Sequence, residues 1–469
     1  VIEFAALIGW DLDEWQRWAL IHMGELLPDG RPRFRTFLLL VARQNGKTLL
    51  MRVLILYWMF VDCVPLILGT HIDRDMARKS WADVIKIAER TPVLAAQLPR
   101  QHKRVTVGQE SFWNEYESVY AFSAPNASAG RGDSVHRVLI DELRENHDWE
   151  AYAAASHAMS TVDDAQLIAI TNQGTDKSIV LDSLRDDALA YIETGEGDPR
   201  LGIAEWSAPN GSAPTDPAAL AMANPNLNRP APHAIQLDSL MGEATRAARK
   251  GGEQLAKFKT EALCMRVHSM NPAISEERWE LCGSDEPVDM AAHRRRVALC
   301  LDVALDGSHA GIVAAVTIDG ITWLELVETW VGFGCTQSLR RELPGIVHRI
   351  RPGRVGWFPA GPAAAVAATV KNPSGQRTWW PRRTDVAEII GEVPAVCMGF
   401  ADVVDGREVR HPRDLALTAH VTSTEWLPRG DARVFTRQGV RPIDLAYAAA
   451  GAVYLSRTMP AAPPPLTAV

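Results

Sequence analysis

The feature that most constrains this chain is a rhythm in its first half. Short, continuously apolar runs alternate with stretches of helical periodicity. The runs are Phe34–Ala42, Pro65–Thr70, Val119–Ala124, Arg137–Asp141, Gln166–Thr171 and Leu201–Trp206, and the helical stretches include Thr48–Phe60, Arg74–Ala88 and Trp149–Met159. A strand that is apolar at consecutive positions has no wet face. The pattern therefore predicts an α/β fold with a parallel sheet covered by helices on both sides.

The character changes after Trp206. Ser207–Pro232 is rich in Pro, Ala and Asn and reads as a linker or a small appendage. One helical stretch, Leu237–Leu263, follows, with Arg246, Arg249, Lys250, Lys257 and Lys259 on what reads as a solvated face. From Val297 three strand-like runs appear, VALCLDVALDG, GIVAAVTIDG and ITWLELVETW, the last two joined at Asp319-Gly320, a strong hairpin signal. A fourth strand at Arg354–Phe358 and a helix at Pro362–Val370 complete the order of a ribonuclease H-like fold. The expected division is a core at 1–207, a lid or linker at 208–287, a second domain at 288–458 and a disordered tail at 459–469.

Composition narrows the function classes. With 469 residues there is room for two or three domains, and a net charge of −8 does not advertise nucleic-acid binding, so any such contact must come from a local basic face. The 6 cysteines are scattered without a C-x-x-C pair, which argues against a zinc ribbon or a disulfide framework. The longest apolar run, Val53–Val61, is too short to span a bilayer, and no signal peptide opens the chain. The expectation is a soluble intracellular protein.

Two places carry chemistry. VARQNGKT (Val41–Thr48) lies between a strand and a helix. Gly46 lets the backbone approach phosphate oxygens, Lys47 can neutralise phosphate charge and Thr48 can ligate Mg²⁺. The full G-x-x-x-x-G-K-[ST] pattern fails at Val41, so the strand–turn–helix context does the persuading. Its partner is VLIDE (Val138–Glu142), where Asp141 would hold Mg²⁺ and Glu142 would orient and deprotonate water, although a solvated turn can also end in two acids. The second place is LDVALDG (Leu301–Gly307), where Asp302 sits inside an apolar run and is costly unless paired or metal-bound. PIDLAYAAAGAVY (Pro442–Tyr454) puts Asp444 at a helix start, where capping is the plainer role.

RQNGKT, LIDE and ITNQG together resemble the large terminase subunits of tailed bacteriophages, and the likeness continues through ANPNL (Ala223–Leu227) into the second domain. That resemblance implies a P-loop ATPase followed by a ribonuclease H-like nuclease. It implies that LDEWQRW (Leu12–Trp18) is an adenine-binding element with Gln16 on the base. Arg43, Gln44, Asn45, Gly46, Lys47 and Thr48 would form the phosphate loop, and Thr171-Asn172 would be the motif sensing the γ-phosphate. Transition-state charge would fall to Arg43 in cis or to Arg131, in SAGRGD (Ser128–Asp133), donated by a neighbour. In the nuclease, Asp302 and Asp444 would hold metal with a third acid. The fourth strand carries Trp357 and Phe358 where that acid is expected, leaving Asp306, Glu328 or Glu388.

The resemblance further implies ATP with Mg²⁺ as cofactor, and Mg²⁺ or Mn²⁺ in the nuclease. The implied partners are double-stranded DNA, a portal or procapsid and a small terminase subunit, with a pentameric ring and no membrane. The place of action would be the host cytoplasm during assembly, outside the mature virion. The rivals are a helicase- or repair-type ATPase fused to a nuclease, a terminase with a degenerate nuclease site, and a docking protein with a vestigial nucleotide site.

Overall fold

A computed structural model describes residues 1–70, 74–123, 134–229, 234–286, 288–371, 381, 384–439 and 441–460. The chain divides into two compact units, Val1–Val267 and His268–Val469. No helix among the described residues is long and apolar enough to cross a membrane.

The first unit is built on an eight-stranded sheet. Its strands are β1 (Thr36–Val41), β2 (Leu66–Thr70), β3 (Lys103–Arg104), β4 (Ser111–Trp113), β5 (Val119–Ser123), β6 (Arg137–Asp141), β7 (Gln166–Thr171) and β8 (Leu201–Trp206), in the spatial order β3-β4-β5-β2-β6-β7-β1-β8. Every pairing from β5 through β8 is parallel. Strand β1 shows why its sequence reads as it does. Phe37, Leu39 and Val41 enter one core cluster while Leu38 and Leu40 enter the other, so both faces are buried. Because β7 lies between β1 and β6, the ends of three strands stand side by side, with Leu40 opposite Thr171 and Asp141 opposite Ile170.

A small helical layer follows, with Pro217–Ala223, Leu237–Lys250 and Gly252–Ala262 around Leu220, Ala244, Phe258 and Leu263. The single helix expected over Leu237–Leu263 is two helices. Gly251, at φ 65° and ψ −161°, ends the first and starts the second, a conformation that a side chain resists.

The second unit begins at His268, ahead of the boundary expected near Val288. Trp279 is fully buried in its core, so this stretch packs here and not with the lid. The sheet comprises β9 (Ala298–Val303), β10 (His309–Ile318), β11 (Ile321–Val331), β12 (Arg354–Trp357), β13 (Asp385–Glu388) and β14 (Val409–Arg410), in the order β13-β12-β9-β10-β11-β14. The first three form an antiparallel meander and β12 adds parallel to β9, the ribonuclease H-like arrangement. Asp319 and Gly320 both take positive φ and join β10 to β11 in the expected tight turn.

The helix Asp444–Arg457 is buried along nearly its whole length against one face of this sheet. Small residues make that approach possible. A Cβ at Gly451 would collide with Cys300 Sγ, and one at Gly311 with Leu445. Alternation along the strands sends Ala298 and Cys300 toward this helix, and Asp302 follows the same phase. Residues 461–469, most of the segment read as a disordered tail, lie outside the described residues.

Candidate functional site

In the first unit the phosphate loop connects β1 to the helix Lys47–Phe60. Gly46 caps that helix at φ 93°, in the left-handed region, and its N–H groups open the N-terminus of a 14-residue helix. Lys47 is buried, and its ammonium folds back to donate to Val41 O at 2.8 Å and Ala42 O at 3.4 Å. Burial pulls its pKa down, and the Glu142 carboxylate opposes that shift. Thr48 and Gln44 are exposed on the rim, with Gln44 at positive φ.

Asn45 is fully buried and holds the loop in shape. Its amide nitrogen donates to Ala42 O, Arg43 O and Asn224 Oδ1, and its carbonyl accepts from Asn226 N. The motif ANPNL is thereby clamped onto the loop from the far side of the sequence. Arg43 is bound to the same layer: its N–H donates to Glu261 O and its guanidinium pairs with Glu261 at 2.9 Å.

Gln16 lies beside the loop, but both of its polar groups are engaged. Its amide donates to Gly46 O at 3.3 Å, and its oxygen accepts from Asp13 N in a helix capping box. In this structure Gln16 props the loop, and a base contact would require an exchange of one of these bonds.

Asp141 ends β6 and Glu142 follows at φ 57°, a left-handed turn that swings its side chain toward the loop. Arg144, which the sequence reading passed over, lies 3.0 Å from Glu142 Oε2 with its side chain mostly buried. Thr171 Oγ1 accepts from Arg144 N, and Asn172 donates to Thr260 O in the helical layer while its own oxygen is buried without a partner. Glu142 and Lys47 line a cavity of about 830 Å³ together with Gln16, Gln44, Thr48 and Arg229. Arg131 lies outside the described residues.

The second unit brings Asp302 and Asp444 to one place, but in different states. Asp302 is buried and accepts from Arg437 Nη1 at 2.6 Å, and that guanidinium sits 3.7 Å over the Tyr447 ring. Burial raises the Asp302 pKa and Arg437 opposes the rise. Asp444 is buried with both carboxylate oxygens lacking a hydrogen-bond partner. Burial, with the neighbouring Asp302 charge, pushes it up to about 7.

The other candidate carboxylates are exposed, although Asp306 is near enough for its charge to act on Asp444. Asp306 is on an exposed turn accepting from Ser308 N and Oγ, Glu328 is exposed on β11 and Glu388 is exposed at the end of β13. Trp357 fills the β12 position with a buried indole. Among the described residues Asp302 is already paired with Arg437, and no third acid is buried beside it. What does face Asp444 was missed from the sequence. The imidazoles of His309 and His420 each offer a nitrogen, and these with an Asp444 oxygen lie within 4.8 Å of one another. Lone histidines scattered along a chain give no spacing signal, so no motif could have found them.

No known protein family matches the chain by sequence, and no curated protein is similar to it in sequence. Among solved structures, the HK97 bacteriophage large terminase is similar at 17% identity and a TM-score of 0.46, over 95% of this chain and 96% of that one. A large terminase of a thermophilic bacteriophage, in complex with ATP-gamma-S, is similar at 11% identity and a TM-score of 0.36, over 94% of this chain and 99% of that one. A large terminase nuclease from a thermophilic phage is similar at 11% identity and a TM-score of 0.26, over 34% of this chain and 82% of that one. Solved structures resembling this chain over nearly its whole length thus include those of phage large terminases.

Proposed function

We propose that the first unit binds and hydrolyses ATP, and that the chain is a DNA-packaging motor of the large terminase kind. The observation that carries the ATPase reading is the meeting of Lys47 and Glu142 in one cavity, from strand ends one strand apart, with the Asp141 charge acting on Lys47 and a left-handed glycine opening a long helix. The donor set fits a nucleotide with its metal: helix N–H groups and one ammonium for phosphate, and a threonine hydroxyl and a strand-end carboxylate for Mg²⁺. Bound Mg²⁺ would neutralise charge on the phosphates.

The chain's own residues perform the remaining work. Lys47 exchanges Val41 O and Ala42 O for phosphate oxygens. Glu142 orients the attacking water and takes its proton, and Arg144 fixes the carboxylate on the far side. Asn172, reaching from β7 to Thr260, ties the γ-phosphate end of the cavity to the helical layer. Arg43 and Arg131 are the candidate cations for the transition state, and Arg43 would first have to leave Glu261.

Lys47→Ala is expected to weaken nucleotide binding and turnover together. Glu142→Gln is expected to spare binding and lower kcat by roughly 100-fold or more, since only water activation is lost. Wild-type hydrolysis by Glu142→Gln would sink the assignment.

The motor reading further rests on the motif resemblance through both units. Its partners would be double-stranded DNA, a procapsid portal and a small terminase subunit, with a ring in which a neighbour supplies Arg131, working in the host cytoplasm. DNA binding should be indifferent to sequence and fall steeply with salt, because phosphate contacts release counterions and carry no base information. ATP-dependent protection of DNA inside matching procapsids tests it directly. Cleavage of DNA by the second unit belongs to the same proposal, though not through a cage of three acids.

A further inference from the structure

The residues around Asp444 are arranged for a ligand of their own. His309 opens β10 and has the same phase as Gly311 and Val313, the side facing the helix Asp444–Arg457. His420 is in the last turn of the helix Leu415–Thr422. Three separate elements therefore converge at the N-terminus of the final helix. Asp444 and His420 are 1% and 7% exposed, whereas His309 is only partly buried, so the cluster is closed on the core side and open on one side.

Its hydrogen-bond ledger is incomplete in a particular way. Both oxygens of Asp444 and Nδ1 of His309 are buried without a partner. His420 Nδ1 accepts from Leu445 N at 3.3 Å and so carries no proton toward Asp444 Oδ1 at 3.4 Å; an ion bound there would take over the one lone pair from that long bond. Polar atoms left buried and unpartnered in this way cost free energy unless a proton or a metal ion lies among them.

We propose that His309, His420 and Asp444 form a site for one divalent transition-metal ion, of the Zn²⁺ class, with open positions toward solvent. Two imidazoles and one carboxylate suit such an ion, whereas Mg²⁺ prefers an all-oxygen shell. Ligand atoms at most 4.8 Å apart leave a centre from which each need move only about 1 Å or less to reach bonding distance. The pairing of Asp302 with Arg437 leaves that acid outside the set. This inference deepens the nuclease reading, since open coordination positions could take a phosphodiester oxygen and a water, but the site rests on its own residues.

The test is Co²⁺ or Zn²⁺ titration of the full chain after chelator treatment, without nucleotide, read by calorimetry and by the visible d–d bands of Co²⁺. The expected result is one ion bound with nitrogen-containing coordination, not displaced by millimolar Mg²⁺. Affinity should fall at least tenfold in His309→Ala and again in His420→Ala. If His420→Ala unfolds, the more exposed His309→Ala and the half-conservative His309→Gln carry the test, with circular dichroism checking the fold. Absence of binding in wild type, or binding that the His309 variants leave unchanged, would overturn the site. Plasmid cleavage is measured in parallel. Histidine-dependent binding without cleavage keeps the site and removes the nuclease reading, and cleavage without such binding does the reverse.

Discussion

The two units place acids at the ends of strands in opposite ways. In the first, Glu142 and Lys47 face a cavity of about 830 Å³, and Arg144, which does not line that cavity, holds Glu142 from behind. In the second, Asp302 is met head-on by Arg437, a contact that neutralises the acid and removes it from solvent. A charge held from behind remains available for chemistry. A charge capped from the front has become part of the core.

That contrast can be broken most forcefully at Arg437. Arg437→Met leaves Asp302 buried and alone, and should cost the second unit about 3–5 kcal/mol, with most of it regained in the double variant that adds Asp302→Asn. Calorimetry, in which the units can melt separately, checks it. A neutral Arg437→Met would mean that the pair does not hold Asp302. Gly451→Val tests how close the final helix must come to β9, because its branched side chain would meet Cys300. We expect the same transition to lose about 1–3 kcal/mol, with little change in the first.

In the first unit, Asn45→Ala should cost about 1–2 kcal/mol and raise the KM for ATP, because Asn224 and Asn226 lose their partner and the loop its clamp. Equilibrium unfolding and steady-state kinetics read the two effects.

The smallest signature is a slope with pH at Asp444. Its folded pKa of about 7 lies above that of an unfolded Asp, so the folded state retains a proton that the unfolded chain releases. Metal-free stability should therefore decline as pH rises from about 4 through about 7, and Asp444→Asn should remove that decline. His420, neutral in the fold down to about 4, contributes the opposite slope below its unfolded pKa. The difference between wild type and Asp444→Asn isolates the Asp444 contribution, and a difference flat across that range would place Asp444 in contact with solvent.

What the sequence made legible followed from local physics. Strand β1 could be read because Phe37–Val41 is apolar on both faces, and the Asp319-Gly320 turn because two positive φ values select those residues. Asp302 stood out as an acid in an apolar run. Its partner did not, since Arg437 is remote in sequence and one arginine among 40 carries no mark. His309 and His420 were invisible for the same reason. Gly251 was visible but read through, because a glycine between two stretches of like periodicity does not reveal the ψ that separates them. Gln16 was read as a base contact, and only the distances reveal that the helix start and Gly46 already occupy it.

The Asn45 clamp has a bearing on chemical ageing. Asn followed by Gly is the dipeptide most prone to deamidate, since an unhindered Gly nitrogen can close on the side-chain carbonyl. Here that side chain is fixed by Ala42, Arg43, Asn224 and Asn226 and excluded from water. Folding thus shelters the bond. Should the helical layer lift away, the shelter would go with it, and an Asp at position 45 would bring a negative charge into the loop that must receive phosphate. The age of a preparation would then be written as a slow, one-way loss of nucleotide affinity, fastest in molecules whose lid spends longest open.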